Sequence, residues 1–331
     1  MHILSLVIPV YQGEKTLPGV LRELEPLTHP QTINDIHFRI GEVILVHDGA
    51  RDDSARVMQE LAAQYPFVRN LWLSRNFGQH PATLAGMAST TGQWVVTIDE
   101  DGQQNPADIG RMLEQTMRTD AQLVYAHPLN KPPHGFLRNA ASGCAKWILI
   151  HILGNRVIGE FNSFRLIDGE IARSLAAYCG NSVFLDIALS WVTGRVERCG
   201  VTLRPEGDRP SGYSFRSLLH HFWRLMLTSG TKPLRFITLM GMLSLLTGIA
   251  LTAYALWVKF AHQVPVQGWT SLVIVVSLFS GTILFSLGII AEYLAVALGI
   301  VMGKPLYLVV SRAPNGKSEE RALEMRNKNE Y

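Results

Sequence analysis

Two long stretches of this sequence carry no charged side chain, Phe236–Val258 and Val264–Ala291. Each is longer than the roughly 20 residues that an α-helix needs to cross the hydrocarbon core of a bilayer. A pair of buried core helices is the alternative, but core helices seldom stay free of charge over such a length. The sequence therefore predicts a two-helix transmembrane hairpin over residues 232–303, with a lipid bilayer as a partner.

The charges that flank the predicted hairpin indicate its orientation. Lys232 and Arg235 precede the first stretch, and Lys304 and Arg312 follow the second, whereas the connecting loop contains Lys259. Because Lys and Arg are retained on the cytoplasmic side of a membrane, we expect both termini to be cytoplasmic. This predicts a multi-pass protein of the inner (plasma) membrane.

Composition excludes several other classes of protein. The chain of 331 residues has a formal net charge of +3, which is too small to indicate nucleic-acid binding. Its three cysteines have no paired or metal-ligand spacing, which is typical of a reducing compartment. The apolar N-terminus lacks the basic region and the cleavage site of a signal peptide.

The remainder of the chain, up to residue 210, alternates apolar runs with helix-like stretches. The runs are Leu4–Val10, Glu42–His47 and Gln93–Asp99, and the stretches between them are Thr16–Leu27 and Asp53–Tyr65. Continuous apolar strands alternating with helices predict an α/β domain with a mostly parallel sheet. Ligands of such sheets bind at the carboxyl ends of the strands.

Two further segments are basic and amphipathic. Tyr213–Thr228 has apolar residues at steps of three and four with Arg and His between them, and Gly143–Leu153 is similar. Such helices next to a membrane span often lie on the membrane surface, although an ordinary surface helix is the alternative. We expect interfacial helices near 143–153 and over 211–231, and a cytoplasmic C-terminal segment and tail over 304–331.

An acidic cluster follows the third apolar run. Asp99 and Asp101 are two residues apart, and on an extended segment such side chains point the same way. A pair of carboxylates suits a hard divalent cation. A solvated turn is the alternative, and the position at the end of a strand favours the cation site.

The order of the motifs resembles that of family 2 glycosyltransferases with a GT-A fold, and most closely the polyprenyl-phosphate glycosyltransferases. The matching segments are Val7–Tyr11, Val46–Asp53, Ser74–Gly78, Asp99–Gln103 with Pro106, Phe164–Asp168, Arg209–Ser214, Gly288–Tyr293 and Lys304–Tyr307. Each motif is weak alone, and together with two spans they are specific. The resemblance implies inverting transfer of one sugar from a nucleotide sugar, UDP- or GDP-linked, to polyprenyl phosphate.

The resemblance also implies residues for the donor. Pro9, Tyr11 and Asp48 would hold the base and ribose of the nucleotide. Asn76 and Lys131 would also contact the nucleotide sugar. The resemblance further implies a homo-oligomer, for which a tetramer is expected.

The implied catalytic residues are largely charged. Asp99 and Asp101 would hold Mg²⁺ or Mn²⁺ and the pyrophosphate, with Gln103 beside them. Arg138 and Arg209 would face the phosphates of donor and acceptor. A phosphate acceptor, whose second pKa lies near 6, is largely dianionic at pH 7 and can attack without a general base. Cations are therefore the main requirement of this chemistry.

Some residues depart from the motifs that carry the resemblance. His47 stands where the motif has Asp, Ala50 where it has Ser, and Gly13 where it has Glu. These departures lie on the base-binding side and suggest one alternative, a non-catalytic scaffold member. A polysaccharide synthase is a second alternative, with less support. The synthase would need more spans and a Gln-x-x-Arg-Trp motif, which this sequence lacks. Asp186 is an alternative general base.

Overall fold

The computed structural model describes most of the chain. The described residues are 1–50, 52–130, 161–180, 183–204 and 268–313, with single positions and short runs between 237 and 257. Predictions that lie outside the described residues concern Lys131, Arg138, Arg209, the interfacial helices 143–153 and 211–231, and the tail beyond residue 313.

Nine strands of the described residues form one mixed sheet. They are β1 (His2–Val10), β2 (Gln31–Ile33), β3 (Ile36–His47), β4 (Val68–Leu73), β5 (Trp94–Thr97), β6 (Leu123–Pro128), β7 (Arg165–Asp168), β8 (Val196–Val201) and β9 (Val309–Val310). Their order is β8-β6-β7-β5-β1-β3-β4-β9, with β2 paired to β3. The central strands β5, β1, β3 and β4 are parallel, whereas β7 is antiparallel to both neighbours. The predicted α/β class with a mostly parallel sheet is confirmed.

Helices cover both faces of this sheet. They are α1 (Leu17–Leu24), α2 (Ser54–Gln64), α3 (Gln79–Ala88), α4 (Asp108–Thr119), α5 (Gly169–Tyr178) and α6 (Leu185–Val192). Successive side chains of a strand point to opposite faces. Leu6 and Ile8 accordingly pack with α1, α2 and α4, whereas Val7 packs with α3, α5 and α6. Two separate apolar cores explain why the central strands are apolar throughout.

The apolar runs of the sequence mark the central strands correctly. Leu4–Val10 lies in β1, Glu42–His47 forms the second half of β3, and Gln93–Asp99 contains β5. The helix-like stretches contain α1 and α2, and α1 ends three residues before the predicted Leu27 because a 3₁₀ turn, Glu25–Thr28, follows it.

The C-terminal part of the described chain returns to the sheet. β9 pairs antiparallel with β4 through Leu73 and Trp72. Leu306 and Tyr307 pack against one core, and Val310 packs against the other. The sequence analysis did not predict this strand, because it treats residues 304–331 as a segment separate from the sheet.

A second compact unit contains the apolar helices. Among the described residues, one helix is long and apolar enough to cross a membrane: α7 (Trp269–Val301), with its most suitable window at Phe279–Leu298. A shorter apolar helix, Gly241–Leu251, precedes it. The charge-free stretch ends at Ala291, and α7 continues through Glu292 to Val301, inside the predicted range 232–303, because one carboxylate does not interrupt the backbone hydrogen bonds of a helix.

Candidate functional site

The carboxyl ends of β1, β3 and β5 meet at one edge of the sheet. Tyr11 follows β1, Asp48 follows β3, and Asp99 comes two residues after β5. The backbone N–H of Asp48 donates to the carbonyl of Val10 at 2.8 Å, which joins the first two ends. Pro9 is the residue before the last one of β1, where it pairs with Val46 of β3, and it is partly buried. The sheet therefore brings Pro9, Tyr11, Asp48 and Asp99 to the same edge, as the sequence predicts.

Asp48 holds the neighbouring loop in place. Its two carboxylate oxygens accept hydrogen bonds from the backbone N–H groups of Phe77 and Gly78, at 2.7 and 2.8 Å. Burial raises the pKa of Asp48, and these two hydrogen bonds oppose the rise. Gly49 has a φ of +61°, and a Cβ there would collide with the backbone N of Asn76. The described contacts of Asp48 thus position the loop that presents the exposed Asn76.

Asp99 is surrounded by hydrogen-bond donors. Its Oδ1 accepts from Gln79 Nε2 at 2.6 Å, and its Oδ2 accepts from Gln104 Nε2 at 3.0 Å. The hydroxyl of Ser163 also donates to Oδ2. Burial, together with the nearby charge of Asp101, raises the pKa of Asp99 to about 6, although the hydrogen bonds from Ser163 and Gln104 oppose the shift. A carboxyl group so placed is more easily ionised when a cation lies next to it.

The neighbouring Asp101 lies in a turn. β5 ends at Thr97, and the turn at 100–101 leads into Gly102 with a φ of +75°. The extended geometry that predicted a common direction for Asp99 and Asp101 is therefore wrong, because the strand stops before the acidic cluster. Asp101 Oδ1 accepts from the backbone N–H of Gln103 at 3.0 Å.

The glutamine whose side chain contacts Asp99 is Gln104, whereas the sequence analysis named its neighbour Gln103. The side chain of Gln104 donates to Asp99, and its Oε1 accepts from the backbone N–H of Asp99 at 2.9 Å. The described bonds of Gln103 are through its backbone, whose carbonyl accepts from the N–H of Arg204 at 2.9 Å. A direct role for the side chain of Gln103 stays a prediction.

Glu100 connects two of the loops at this edge. Its Oε2 accepts from the N–H of Tyr11 at 3.0 Å and its Oε1 accepts from the N–H of Gln12 at 2.8 Å. The adjacent Gly13 donates its N–H to Ser54 Oγ at 2.9 Å, at the start of α2. The loop after β1 is thus bound both to the acidic cluster and to the first turn of α2.

A buried ion pair lies beside Asp99. Arg165 Nη1 is 2.6 Å from Asp186 Oδ1, and the hydroxyl of Tyr125 donates to the same oxygen at 2.9 Å. Burial raises the pKa of the Tyr125 hydroxyl well above its usual value, with a further rise from the charge of Asp186. The charge of Arg165 also lowers the pKa of Asp99. Asp186, an alternative base in the sequence analysis, is therefore already paired with a cation.

Sequence reasoning missed several of these side chains. Gln79, Gln104, Ser163 and Arg165 all contribute to the surroundings of Asp99 or Asp186. Arg165 and Gln79 lie in or beside quoted motifs, which is a usable signal, and Gln104 is adjacent to one. Ser163 directly precedes the motif Phe164–Asp168, but its contact to Asp99 joins residues 64 apart in the chain, which no local spacing indicates.

The residues of the acidic cluster suit a divalent cation with few protein ligands. The described part of the chain has no group of three or more His, Cys, Asp or Glu placed to hold a metal ion. Asp99 and Asp101 offer hard carboxylate oxygens, and a cation bound by two carboxylates leaves its other positions to phosphate oxygens and water, as Mg²⁺ often does. The donor set therefore fits Mg²⁺ or Mn²⁺.

Comparison with known proteins gives relatives along nearly the whole chain. The chain is 29% identical over 322 residues to an undecaprenyl-phosphate 4-deoxy-4-formamido-L-arabinose transferase of Klebsiella pneumoniae, covering 96% of each protein. It is 27% identical to a bactoprenol glucosyl transferase of Shigella phage SfX, covering 93% of this chain and 99% of that one.

A solved structure shares the fold. Glucosyl-3-phosphoglycerate synthase from Mycobacterium tuberculosis, in complex with Mn²⁺, UDP-glucose and phosphoglyceric acid, superposes with a TM-score of 0.50 at 18% identity. The match covers 70% of this chain and 79% of that one. The glycosyl transferase family 2 profile matches residues 5–172, which include most of β1, all of β3 and β5, and the acidic cluster. The chain therefore belongs to glycosyl transferase family 2.

Proposed function

We propose that this glycosyltransferase moves a single sugar, with inversion, from a nucleoside diphosphate sugar to polyprenyl phosphate at the cytoplasmic face of the membrane. The observation that carries the proposal is the similarity over 92–96% of the chain to transferases named for undecaprenyl phosphate and bactoprenol. The product would be a sugar linked to a lipid phosphate, as a precursor for glycan modification.

The edge formed by β1, β3 and β5 supports a site for the donor. Pro9, Tyr11 and the loop that Asp48 positions lie where a parallel sheet binds nucleotides. The acidic cluster after β5 is on the neighbouring loop, and the hydrogen bonds of Glu100 tie it to Tyr11. Base and ribose on the Tyr11 side would thus leave the diphosphate next to Asp99 and Asp101. UDP is the first choice of nucleotide, and GDP is a second.

Asp99 and Asp101 would hold Mg²⁺ or Mn²⁺. When bound, such a cation stabilises the negative charge that develops on the leaving diphosphate. Gln79, Gln104 and Ser163 orient Asp99 through hydrogen bonds, so that its carboxylate needs little rearrangement. Pre-oriented groups of this kind are effective because they need no reorganisation during the reaction.

The acceptor needs no strong base from the protein. A phosphate monoester is mostly dianionic at pH 7, so that a phosphate oxygen can attack the anomeric carbon directly. As that bond forms, the bond from the anomeric carbon to the diphosphate breaks on the opposite face. Arg138 and Arg209 are proposed to offset the repulsion between the two anionic substrates, and Lys131 to assist at the donor.

Membrane attachment follows from α7 and from the return of the chain to the sheet. α7 has 33 residues, or about 50 Å, which exceeds the roughly 30 Å of a hydrocarbon core. β8 precedes the apolar segments and β9 follows them, in one sheet. A chain that leaves and re-enters one sheet must cross a membrane an even number of times. This supports the proposed hairpin in the inner membrane, with the region of Gly241–Leu251 as the first span.

The reaction can be tested with the purified full chain in lipid nanodiscs. Undecaprenyl phosphate is added with a panel of UDP- and GDP-sugars, and release of nucleoside diphosphate is measured with Mg²⁺, with Mn²⁺ and with a chelator. Release that requires both the lipid and a divalent cation is expected. If every donor gives none, the non-catalytic alternative is favoured, and polymeric product would favour a polysaccharide synthase. Cross-linking in membranes tests the homo-oligomer, for which a tetramer is proposed.

A further inference from the structure

The loop after β1 and the loop after β5 are joined by one side chain. Both carboxylate oxygens of Glu100 accept backbone N–H groups, from Tyr11 at 3.0 Å and from Gln12 at 2.8 Å. Hydrogen bonds to a charged acceptor are stronger than neutral ones. Two consecutive N–H groups therefore fix the position of Tyr11 relative to the residues on either side of Glu100, which are Asp99 and Asp101.

Gly13 provides the space that this contact requires. A Cβ built on Gly13 would lie 2.7 Å from Glu100 Oε2 and 2.8 Å from Leu17 Cδ1, and a Cβ essentially never lies so close to either kind of atom. Gly13 is buried between the carboxylate and the first turn of α1. A side chain at this position would displace the carboxylate, the leucine or both.

Gly13 is one of the positions at which this chain departs from the motifs that it resembles, which have Glu there. This chain has its carboxylate on the opposite loop, at Glu100. Glu14, next to Gly13, instead accepts from the N–H of Asp53 at 3.2 Å, at the start of α2. The carboxylate of Glu14 thus contacts the start of α2, and Glu100 contacts the backbone of Tyr11 and Gln12.

We infer that Glu100 is a positioning residue that sets the distance between the donor's base-and-ribose side at Tyr11 and its diphosphate side at Asp99 and Asp101. The inference rests on the proposed function for the identity of the ligand, a nucleoside diphosphate. Both described hydrogen bonds of Glu100 are to backbone N–H groups, so its proposed effect on the donor acts through Tyr11 and Gln12. Loss of the Glu100 carboxylate should shift Tyr11 relative to Asp99 and Asp101 and should leave the acceptor site unchanged.

Transfer kinetics separate this role from a metal-binding one. Contacts to the base and ribose are far from the bond that breaks, so that they act about equally on bound substrate and transition state. Glu100→Ala should therefore raise the KM for the nucleotide sugar at least about tenfold, with a smaller change in kcat and no change in the KM for undecaprenyl phosphate. Glu60→Ala, at an exposed carboxylate of α2, is the matched control and should match the wild type.

Gly13 provides a double-mutant test. Gly13→Ala alone should raise the KM for the donor, because the new Cβ displaces the carboxylate of Glu100. In the Gly13→Ala/Glu100→Ala protein, the contact that the alanine disturbs is already gone, so the combined loss should be clearly smaller than the product of the two single losses. Independent, multiplying losses would overturn the inference.

A measurement on the apo protein tests the contact without the reaction. Hydrogen exchange at the amides of Tyr11 and Gln12 should be faster in Glu100→Ala than in the wild type and unchanged in Glu60→Ala. Equal protection in all three proteins would overturn the inference. If the wild type transfers no sugar, the proposed function fails on its own. The affinity of the protein for UDP and GDP in the presence of Mn²⁺, measured by calorimetry, then replaces KM. Equal affinity in the wild type and in Glu100→Ala would also overturn the inference. So would the absence of nucleotide binding to the wild type, even if amide exchange is faster in Glu100→Ala.

Discussion

At the scale of single residues, Asp101 is the carboxylate whose loss should affect the reaction most. Asp101→Asn keeps the size of the side chain and the acceptor for the N–H of Gln103. It removes the charge that a divalent cation requires. We expect metal-dependent transfer to fall by roughly 10²-fold or more, because a bound cation supplies several kcal/mol to the transition state.

The control for this variant is Asp120→Asn. Asp120 has a φ of +52° at the end of α4 and lies far along the chain from the acidic cluster. Asn tolerates that backbone conformation nearly as well as Asp does. Wild-type activity is expected there, while circular dichroism should show both variants folded. Near-normal, chelator-sensitive transfer by Asp101→Asn would contradict its role.

His47 predicts a dependence of stability on pH. The ring is 1% exposed, its Nδ1 has no hydrogen-bond partner, and burial lowers its pKa from 6.5 to about 4. Above pH 6.5 the ring is neutral in both the folded and the unfolded chain. Between pH 6.5 and 4 the unfolded chain takes up a proton that the folded chain does not. The free energy of unfolding therefore decreases as the pH is lowered from 6.5 to 4, by at most about 3 kcal/mol.

Thermal unfolding from pH 7.5 to 4.5 measures this contribution. His47→Gln should show a weaker fall in melting temperature over that range than the wild type, whatever its stability at pH 7.5. His29→Gln, at an exposed histidine, should follow the wild-type curve. Parallel curves for all three proteins would show that His47 is not held neutral by burial.

At the scale of elements, β9 links the C-terminal segment to the candidate site. The carbonyl of Leu308 accepts from the N–H of Ser74 at 2.9 Å, where the loop held by Asp48 begins. Val310 packs on the apolar core, whereas Val309 is 43% exposed. Val310→Asp should lower the free energy of unfolding by about 1–3 kcal/mol, because it places a charge against apolar side chains.

The neighbouring Val309→Asp is a matched control for β9. It introduces the same charge on the other side of the same short strand, where water can solvate it. Chemical denaturation in detergent should therefore show a smaller loss for Val309→Asp than for Val310→Asp. Equal losses in the two variants would indicate that β9 does not hold one face against the core.

The central strands can be predicted from the sequence and β9 cannot, for a physical reason. β1, β3 and β5 are buried on both faces, so their apolar runs are visible without the fold, and the polar residues after them mark Tyr11, Asp48 and Asp99. β9 has two residues, and its pairing depends on β4, far away in the chain. A pattern this short has no detectable period, so only the folded chain shows it.

The same reasoning applies to the candidate site. Asp99 and Asp101 are recognisable because carboxylates two residues apart follow an apolar run. Ser163 and Glu100 act through contacts to residues 64 and 89 positions away, which no local spacing encodes. The extended backbone expected at Asp101 is wrong because the strand ends at Thr97, and a strand end is fixed by pairing with neighbours as well as by its own residues.

At the scale of the whole molecule, the return of the chain to the sheet constrains its path through a membrane. β8 and β9 belong to one sheet, and α7 precedes β9 directly. If α7 crosses the bilayer once, another crossing must precede it, so residues 259–268 should face the outside. The excess of Lys and Arg on the other side of both apolar stretches predicts that the sheet is cytoplasmic.

Cysteine labelling in intact cells tests this arrangement. Cys144, Cys179 and Cys199 are first replaced by alanine, and transfer by the resulting protein is checked. A single cysteine at Gln263 should then react with a membrane-impermeant maleimide, whereas one at Gly316 should react only after the cells are opened. Because each site lies on a polar stretch, the labelling reports the side of the membrane rather than burial in the bilayer. Protection at Gln263 together with labelling at Gly316 in intact cells would invert the topology. Labelling of both would place both ends of α7 (Trp269–Val301) on the outside, so that α7 would not cross the bilayer and the predicted hairpin would be wrong.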